Sequence, residues 1–402
     1  MKSTVAVSYE MDDMEKAAEE LASQVLQSLT LLTYSCGLLF CDSEVDHDAL
    51  AAALKEKLPM PVVGCSTIAT FNGKKGFQDM NVSLIVLTAD DVRFAVSLSE
   101  PLTAEGVKKQ IEDAYSKGAA ELEESPRLIL AFPSYNASIM LDEYPETLDR
   151  LSVKAPIFGG IPGFVAGYGT SWVAFDGKAY TDRAVFILMG GNVHPLFSVK
   201  NVLKSYAEQK RLVTRAENNV VYKVGDISFI DHMRQLGMPV DKIVSSPDAI
   251  SFVTSPLLLE MPKDEENDGF PFVRTLHTLN LEDGSGASIG RIPQGAVLSI
   301  VSMTRQDVDS SSKEAMRDLL EQIENKKKEG YECSTILTVS CIGRYMVIAN
   351  DHTIEGRNIA EATPPSLNLS GFYSYGELCP TSMRDAKAAN RAHNESIVFC
   401  AF

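Results

Sequence analysis

The chain has 402 residues, of which 45% are hydrophobic and 23% charged, as is typical of soluble globular proteins. This length predicts two or three domains. The formal net charge of −17 disfavours binding to nucleic acids and anionic membranes, because their phosphates would repel the chain and no basic face offsets the charge.

The first hundred residues alternate strand-like and helix-like segments. A strand is predicted at residues 5–8, and apolar residues at helical spacing predict a helix at 12–29. The apolar run 31–41 has the length of a buried strand, and Asp46 is placed to cap a helix at 46–57. Further strands are expected at 61–67, 82–87 and 92–99.

The same order of elements returns in the second hundred residues. A helix is predicted at 103–116, a buried strand at 127–132 and a second helix at 141–151. Strands at 155–160, 171–175 and 184–189 follow, with a glycine loop at 167–169. Pro61 and Pro156 occupy equivalent places 95 positions apart, so the pattern indicates a repeated α/β unit.

The second half repeats this order less regularly. Strands are predicted at 249–255, 272–279, 296–303, 334–340, 345–349, 367–375 and 397–402, with an acidic loop at 264–269 and a helix at 312–330. The hydrophilic segment 207–219 suggests a domain boundary near residue 220. We therefore expect an α/β fold with mixed sheets and two domains, 1–220 and 221–402, each a pair of related units.

The sequence contains no pattern typical of secretion, membrane insertion or zinc binding. No apolar segment of signal-peptide length opens the chain, and no run approaches the roughly 20 apolar residues of a membrane helix. Seven cysteines without a CxxC pair indicate reduced thiols rather than disulfides or a zinc site. We expect a cytoplasmic protein without a bound cofactor.

The segment 371–380 is the most distinctive stretch of the sequence. Gly371 and Gly376 bracket Tyr373 and Tyr375, and Glu377 follows at once. Glycines in a strand pattern mark a bulge, a bend or a close approach to the backbone. This pattern predicts a tyrosine-lined bend that presents Glu377 to a cavity; the alternative is a sheet corner with a surface glutamate.

Cys65 follows Gly64 at the end of a predicted strand, where a turn can expose a side chain. The nucleophile-elbow spacing is incomplete, because Thr67 stands where a second glycine is required. The sequence is compatible with three roles for Cys65: a small half-buried residue, a ligand-lining residue or a catalytic cysteine.

Two arginines lie in or just after predicted strands. Arg344 follows Cys341 directly beyond an apolar strand, where a guanidinium can hold a carboxylate through two hydrogen bonds. Arg274 lies within a half-buried strand, which is costly unless the charge is paired. Arg274 is expected either to bind a ligand or to form an ion pair with Glu377.

The remaining polar candidates are weaker. His277, His352 and His393 could each ligate haem or a metal, although no CxxCH attachment motif is present. Asn394 could donate to a ligand or cap the turn before the last strand. The glycines at 159, 160 and 163 do not have GxGxxG spacing, which disfavours dinucleotide binding.

Several of these motifs, in this order, resemble the FIST family, and the likeness covers most of the chain. In the first half it rests on Val-Gly-Cys-Ser-Thr at 63–67, Ile-Phe-Gly-Gly at 157–160, Val-Ala-Phe-Asp-Gly at 173–177 and the strand 184–188. In the second half it rests on Phe-Val-Arg at 272–274, Gly-Arg-Ile-Pro-Gln-Gly at 290–295, Ser-Cys-Ile-Gly-Arg at 340–344, Gly-Phe-Tyr-Ser-Tyr-Gly-Glu at 371–377 and Asn-Glu-Ser at 394–396.

This resemblance implies tandem N-terminal and C-terminal FIST domains in a sensory protein that binds small ligands, with amino acids among those expected. FIST domains are often joined to signalling output domains, some bind haem and sense nitric oxide, and related domains occur in an F-box ubiquitin-ligase subunit. This sequence shows no output segment, so we expect a separate output protein. It also has Ile-Ala-Thr at 68–70, where a glycine and an acidic residue are expected, which puts a polar contact from that turn in doubt.

The residues and the resemblance together predict a non-enzymatic protein with a ligand pocket between its two halves. Arg274 and Arg344 are expected to bind a carboxylate and Glu377 an ammonium, as an α-amino acid requires. The other predicted pocket residues are Cys65, Ser66, Gly159, Gly160, Cys341, Tyr373, Tyr375 and Asn394. The alternatives are a haem-based sensor, a ligand-free interaction scaffold and an enzyme that uses Cys65 or Cys341.

Overall fold

The computed structural model of the protein describes residues 1–151, 155–164, 169–201, 210–245, 249–262, 268–384 and 387–402. Parts of three predicted segments, the loop at 167–169, the hydrophilic segment 207–219 and the acidic loop 264–269, lie outside the described residues. The described chain combines helices with three sheets, which confirms the predicted α/β class.

The first two sheets combine strands that are distant in the chain. In spatial order, the outer sheet contains β1 (Lys2–Ser8), β6 (Val82–Ala89), β2 (Tyr34–Asp42), β3 (Val62–Thr67), β10 (Val173–Phe175) and β11 (Lys178–Tyr180). The central sheet contains, from one edge to the other, β13 (Leu196–Lys200), β25 (Ile397–Ala401), β22 (Thr335–Cys341), β23 (Asn368–Arg384), β9 (Ile157–Pro162), β8 (Leu128–Pro133), β12 (Ala184–Gly191) and β7 (Val92–Leu98). In addition, β24 (Lys387–His393) and β4 (Thr70–Asn72) pair with β23, and β5 (Gly76–Gln78) pairs with β4.

The third sheet, called the antiparallel sheet, contains in spatial order β18 (Phe272–Arg274), β17 (Leu257–Glu260), β21 (Val297–Ile300), β14 (Arg211–Glu217), β15 (Val220–Val224), β20 (Ser285–Ser288) and β19 (Leu276–Asn280), and β16 (Ile227–Ser228) pairs with β15. The helices are α1 (Met14–Ser28), α2 (His47–Lys57), α3 (Val107–Leu122), α4 (Glu143–Arg150), α5 (Phe229–Gln235), α6 (Val240–Ser245), α7 (Ala249–Val253), α8 (Arg305–Lys328), α9 (Ile342–Val347) and α10 (Thr353–Ala362).

The outer and central sheets pack face to face, with helices on the other side of each. Along β2, Leu38 and Phe40 point into the core between the sheets, whereas Leu39 packs with the apolar residues of α1 and α2. The central sheet alternates in the same way: Val398 of β25 enters the shared core, and Phe399 packs with residues of α8. Two-residue alternation therefore builds a helix–sheet–sheet–helix sandwich whose strands are buried on both faces.

Three segments of the chain share one local topology. The pairs β2–β3, β8–β9 and β22–β23 are parallel, and each first strand has an antiparallel neighbour, β6, β12 or β25. A helix connects the strands of each parallel pair, as parallel pairing requires. The predicted first pair of units is present, but in the described part of the second half only the last unit has this topology.

The antiparallel sheet replaces the fourth predicted unit. The strand predicted at 249–255 is wrong, because these residues form helix α7, and the strand predicted at 345–349 falls largely within helix α9. Short apolar runs do not distinguish a buried helix from a buried strand, so the surrounding packing decides. The predicted cap is confirmed: the Asp46 carboxylate accepts a hydrogen bond from the Ala49 backbone N–H at 3.0 Å.

The central sheet contains strands from both sides of residue 220. Strands β7, β8, β9, β12 and β13 come from the first half of the chain, and β22 to β25 come from the second. Strand β9 pairs directly with β23, so the two halves meet through a hydrogen-bonded strand pair. The carboxyl ends of β9 and β22 both lie beside Ser374 of β23, where the candidate site is built.

Candidate functional site

The site begins with a bulge in β23. Ser374 pairs with Pro162 of β9, but the next pairs shift in register and join Glu377 to Gly160, which leaves Tyr375 and Gly376 as the irregular residues. On the other edge of β23, pairing with β22 stops at Ser374, and pairing with β24 starts at Glu377. The sequence predicted a bulge or bend in this glycine-bracketed segment, and the bulge is present.

Two short pieces of chain lie beside this bulge. One is the start of α9, and the other is the turn 394–396 that joins β24 to β25. A Cβ atom on Gly343 would lie 2.1 Å from Glu395 Oε2, so the glycine lets the carboxylate lie directly against the first turn of α9. We call this cluster, which comprises Cys341, Gly343, Tyr375, Asn394 and Glu395, the bulge site.

Glu377 is fully buried at the edge of the bulge site, and both of its oxygens are occupied. The Ser374 hydroxyl donates to Oε1 at 2.8 Å, and the Ser396 backbone N–H donates to Oε2 at 3.3 Å. Burial raises the pKa of the Glu377 carboxyl well above its usual range, and the nearby Glu395 carboxyl raises it further. Burial therefore favours the neutral form of Glu377.

Glu395 is also buried, but only one of its oxygens is occupied. The Thr275 hydroxyl donates to Oε1 at 2.7 Å, whereas Oε2 has no hydrogen-bond partner among the residues that the structure describes. Burial raises the pKa of Glu395 to about 7, opposed by the Thr275 hydrogen bond and by the positive charge of Arg344. Glu395 also has φ of 54°, a left-handed conformation that is costly outside glycine.

The neighbouring amide adds a second unused acceptor. Asn394 Nδ2 donates to the His393 carbonyl at 3.1 Å, but within the described chain its Oδ1 has no partner. The amide lies close to the bulge, because a Cβ atom on Gly376 would be 3.6 Å from Asn394 Nδ2. Two adjacent residues thus place buried oxygen acceptors without donors at the bulge site.

Aromatic side chains form the outer wall. The Tyr375 hydroxyl donates to the Phe164 carbonyl at 3.1 Å, and the two ring centroids are 5.1 Å apart. Tyr135, which is 40% exposed, completes the cluster at 5.5 Å from the Tyr375 ring and 5.7 Å from that of Phe164. The bulge site therefore has a polar interior from the second half of the chain and an aromatic wall supplied mainly by the first half.

The sequence matches two family descriptions in tandem, the FIST N domain over residues 35–226 and the FIST C domain over residues 240–380. The chain belongs to the FIST family. FIST domains are associated with small-ligand sensing in signal transduction. This membership confirms the family resemblance stated from the motifs.

Other comparisons add little to the FIST assignment. No curated protein matches the sequence. A cyanuric acid hydrolase from A. caulinodans is 8% identical over 50% of this chain and 71% of its own, with a TM-score of 0.27. T. maritima PurL complexed with AMPPCP is 10% identical over 99% of this chain and 72% of its own, with a TM-score of 0.21. Structural overlap this low identifies no shared fold.

Arg344 of this FIST protein lies inside a buried network next to the bulge site, in which its Nη1 atom has no partner among the described residues. Its Nε and Nη2 atoms donate to Glu355 Oε1 at 2.9 and 2.7 Å, and Nη2 also donates to the Ser311 hydroxyl. The second oxygen of Glu355 accepts from the hydroxyls of Ser340 and Tyr373. Arg344 and Tyr373, both predicted to contact a ligand, are fully buried and engaged with Glu355.

Arg274 joins the two halves of the chain. Its Nη2 donates to Asp142 Oδ1 at 2.8 Å, and its other nitrogens donate to the backbone carbonyls of Val273, Arg291 and Ala392. The predicted ion pair between Arg274 and Glu377 is therefore wrong. Asp142, just before α4, is the partner because that helix packs beside β24 and brings its acidic start to β18.

Cys65 and Ser66 lie away from the bulge site. Cys65 belongs to the core between the two packed sheets, where burial raises the pKa of its thiol well above the usual range. The Ser66 hydroxyl accepts from the Trp172 backbone N–H at 3.1 Å. These contacts show Cys65 as a neutral core residue and Ser66 as part of the attachment between β3 and the segment before β10.

Gly159 and Gly160 allow the strands behind the bulge to approach closely. Gly159 has φ of 142°, and a Cβ atom there would lie 2.1 Å from the Ala131 carbonyl oxygen. A Cβ atom on Gly160 would lie 2.6 Å from the Gly376 carbonyl oxygen. Of the two, Gly160 is therefore the one that lies directly against the bulge.

Cys341 lies at the bulge site between the two buried carboxyl groups. Burial first, and then the charges of Glu377 and Glu395, raise the pKa of its thiol well above the usual range. A thiol that keeps its proton is a weak nucleophile. Of the predicted site residues, the structure thus brings together Gly160, Cys341, Tyr375, Glu377 and Asn394.

The three candidate histidines lie on different elements. His393 Nε2 is 2.9 Å from the Cys379 carbonyl oxygen, and burial lowers the pKa of the ring to about 3, so it is neutral. His352 stacks on Tyr345 with centroids 3.8 Å apart, and His277 lies beside the Thr278 hydroxyl. Within the described residues, no group of three or more His, Cys, Asp and Glu side chains is arranged to hold a metal ion.

Sequence reasoning missed Glu395, Gly343, Thr275, Phe164 and Tyr135 as site residues. Glu395 and Gly343 stood within motifs that carried the FIST resemblance, at 394–396 and 340–344. Their contact depends on residues 52 positions apart, which spacing alone does not reveal. Among the described helices, none is both long and apolar enough to cross a membrane.

Proposed function

We propose that this FIST protein is a cytoplasmic sensor that binds a small molecule at the bulge site and reports it to a separate output protein. The observation that carries the proposal is the pair of buried acceptors, Glu395 Oε2 and Asn394 Oδ1, without donors among the described residues. A buried acceptor without a hydrogen bond destabilises a fold by about 1–3 kcal/mol, and a charged one by more. A ligand with N–H groups would supply the missing donors.

The bulge site is built from residues of both halves of the chain, as a sensor of a small molecule requires. Its polar interior comes from residues after 340, whereas Tyr135 and Phe164 of its wall come from the first half of the chain. A ligand that contacts both would bind most tightly to one relative arrangement of the two halves. Binding would then shift the population towards that arrangement, which an output protein can recognise.

The proposed ligand has the size of an amino acid, and amino acids remain within the class. Their ammonium group would contact Glu395 rather than Glu377, because Glu377 already accepts two hydrogen bonds within the protein. We propose binding without catalysis, since the thiol of Cys341 keeps its proton between two acidic neighbours.

Thermal unfolding with a panel of small metabolites tests this function. A ligand at a hundred times its dissociation constant should stabilise the protein by about 2.7 kcal/mol. Tyr375→Leu should reduce that shift, because it removes a ring of the aromatic wall and its hydrogen bond to Phe164.

The matched control is Tyr222→Leu, since Tyr222 is a partly exposed tyrosine on β15 of the antiparallel sheet. This control should keep the full ligand shift. Equal loss in both variants, or no shift with any metabolite, would contradict a ligand site at the bulge and favour a scaffold.

A further inference from the structure

We propose that the bulge site selects a cation, namely a primary ammonium or an amidinium, and disfavours ligands that carry a carboxylate beside that group. This inference rests on the proposed function and specifies the chemical class of its ligand. It predicts that amines bind better than the amino acids from which they differ only by a carboxylate.

The first reason is the balance of donors and acceptors. The nearby hydroxyls already donate within the protein. Thr275 donates to Glu395, Ser374 donates to Glu377, and Ser396 donates to the backbone carbonyl of Asn394. At and beside the site, the buried side-chain atoms without a hydrogen-bond partner in the described chain include two acceptors, Glu395 Oε2 and Asn394 Oδ1, and one donor, Arg344 Nη1. An ammonium or amidinium offers two or three N–H donors and needs no donor in return.

The second reason is the sign of the surrounding charge. The titratable groups that act on Glu395 and its neighbours are Glu377 of β23, Cys341 of β22 and Arg344 of α9. Arg344 is the cation among them, but Glu355 holds its Nε and Nη2 atoms in a buried ion pair, which leaves Nη1 as the nitrogen without a partner in the described chain. A ligand carboxylate beside the ammonium would therefore meet Glu395 and a buried acidic neighbour, and Arg344 could offer it one nitrogen rather than the two of a bidentate contact.

The third reason is the wall. Tyr375, within the bulge, and Phe164 have ring centroids 5.1 Å apart, and aromatic faces attract cations. The net charge of −17 would also raise the local concentration of cations around the chain. A small amine with a flat apolar body fits acceptors and rings at once, as phenethylamine and benzamidine do.

Calorimetric titration with matched ligand pairs tests the inference. The pairs are phenethylamine with phenylalanine and agmatine with arginine, with benzamidine as the amidinium, all at pH 7.5. We expect at least one amine or amidine to bind, and to bind about tenfold or more tightly than its amino acid. Its affinity should fall as the pH is lowered through 7, because Glu395 then takes up a proton.

Two variants locate the charge that is recognised. Glu395→Gln should weaken binding of the amine by about tenfold or more, since it removes the ionised acceptor. The control Glu324→Gln makes the same change at an exposed position of α8 and should bind like the parent protein. Melting curves of both variants establish that they are folded.

The outcomes separate this inference from the proposed function. If phenylalanine or arginine binds more tightly than its amine, or if Glu377→Gln rather than Glu395→Gln removes binding, cation selection at Glu395 is wrong while the sensor proposal stands. If only uncharged or anionic metabolites stabilise the protein, cation selection is again wrong and the sensor proposal again stands. If no small molecule binds at all, both proposals fail.

Discussion

Glu355 and Glu395 are two buried glutamates near Arg344 that differ in how completely their oxygens are hydrogen-bonded. Glu355 accepts from Arg344 on one oxygen and from Ser340 and Tyr373 on the other. Glu395, equally buried, accepts from Thr275 on one oxygen and, among the described residues, from none on the other. The residue type and the burial are the same, so the difference lies in the partners that each position supplies.

The difference between the two glutamates indicates which buried carboxylates of this fold are candidates for a binding site. A buried carboxylate with all its acceptors filled holds elements together, as Glu355 does in joining α10 to α9, β22 and β23. A buried carboxylate with an empty acceptor is destabilising unless something else binds there. Glu395 also has a strained backbone, as residues at binding sites often do.

Glu355→Gln should have the largest effect on stability. It leaves the Arg344 guanidinium buried without a counter-charge, and breaking a buried ion pair in this way costs about 3–5 kcal/mol. Denaturant unfolding measures the loss. Glu361→Gln, exposed on the same helix α10, should change stability by less than about 0.5 kcal/mol. A loss below about 1 kcal/mol for Glu355→Gln would remove the contrast between the two glutamates.

Glu395→Gln should instead stabilise the protein without ligand at high pH. The pKa of Glu395 is about 7 in the folded state against an ordinary 4.5, so the folded state holds this proton more tightly than the unfolded state. The parent protein therefore loses stability as the pH rises from about 4.5 to 7, by roughly 3 kcal/mol. Glutamine has no such proton to lose.

The pH profile of the unfolding free energy measures this effect. The difference between Glu395→Gln and the parent protein should grow between about pH 5 and pH 8 and then level off. Parallel profiles for the two proteins would mean that the carboxyl of Glu395 titrates normally. The conclusion that Glu395 is a destabilising buried carboxylate would then be wrong.

Thr275→Val should have the smallest effect and should sharpen the comparison further. It removes the hydroxyl that donates to Glu395 Oε1, and this hydrogen bond favours the charged form of the carboxyl in the parent protein. The pKa of Glu395 should rise further, and at pH 8 the protein should lose about 1 kcal/mol, with a smaller loss at pH 5. An equal loss at both pH values would assign the hydroxyl a role unrelated to the Glu395 charge.

Much of the first half of the fold could be predicted, because long amphipathic periods and buried strands leave clear patterns. Helices α1 and α2 and strands β2 and β12 all overlap the predicted segments. The antiparallel sheet and helices α7 and α9 could not be predicted in the same way. Their segments are short, and a short apolar run takes the structure that its neighbours impose.

The site was only partly predictable, for a related reason. The glycine pattern of β23 pointed to the bulge, to Tyr375 and to Glu377. It could not indicate which acids would meet Arg274, because Asp142 lies 132 positions away. Sequence reveals that a buried arginine needs a partner, but which partner it obtains depends on how the elements pack.

The placement of β25 makes completion of the central sheet a late step in the synthesis of this chain. Residues 397–401 insert between β13 and β22, and the turn that carries Asn394 and Glu395 lies immediately before them. Until this stretch leaves the ribosome, β13 and β22 have apolar edges without their partner, a condition that favours binding by chaperones. A nascent or shortened chain also lacks Glu395, so under the proposed function incomplete copies would not respond to the ligand.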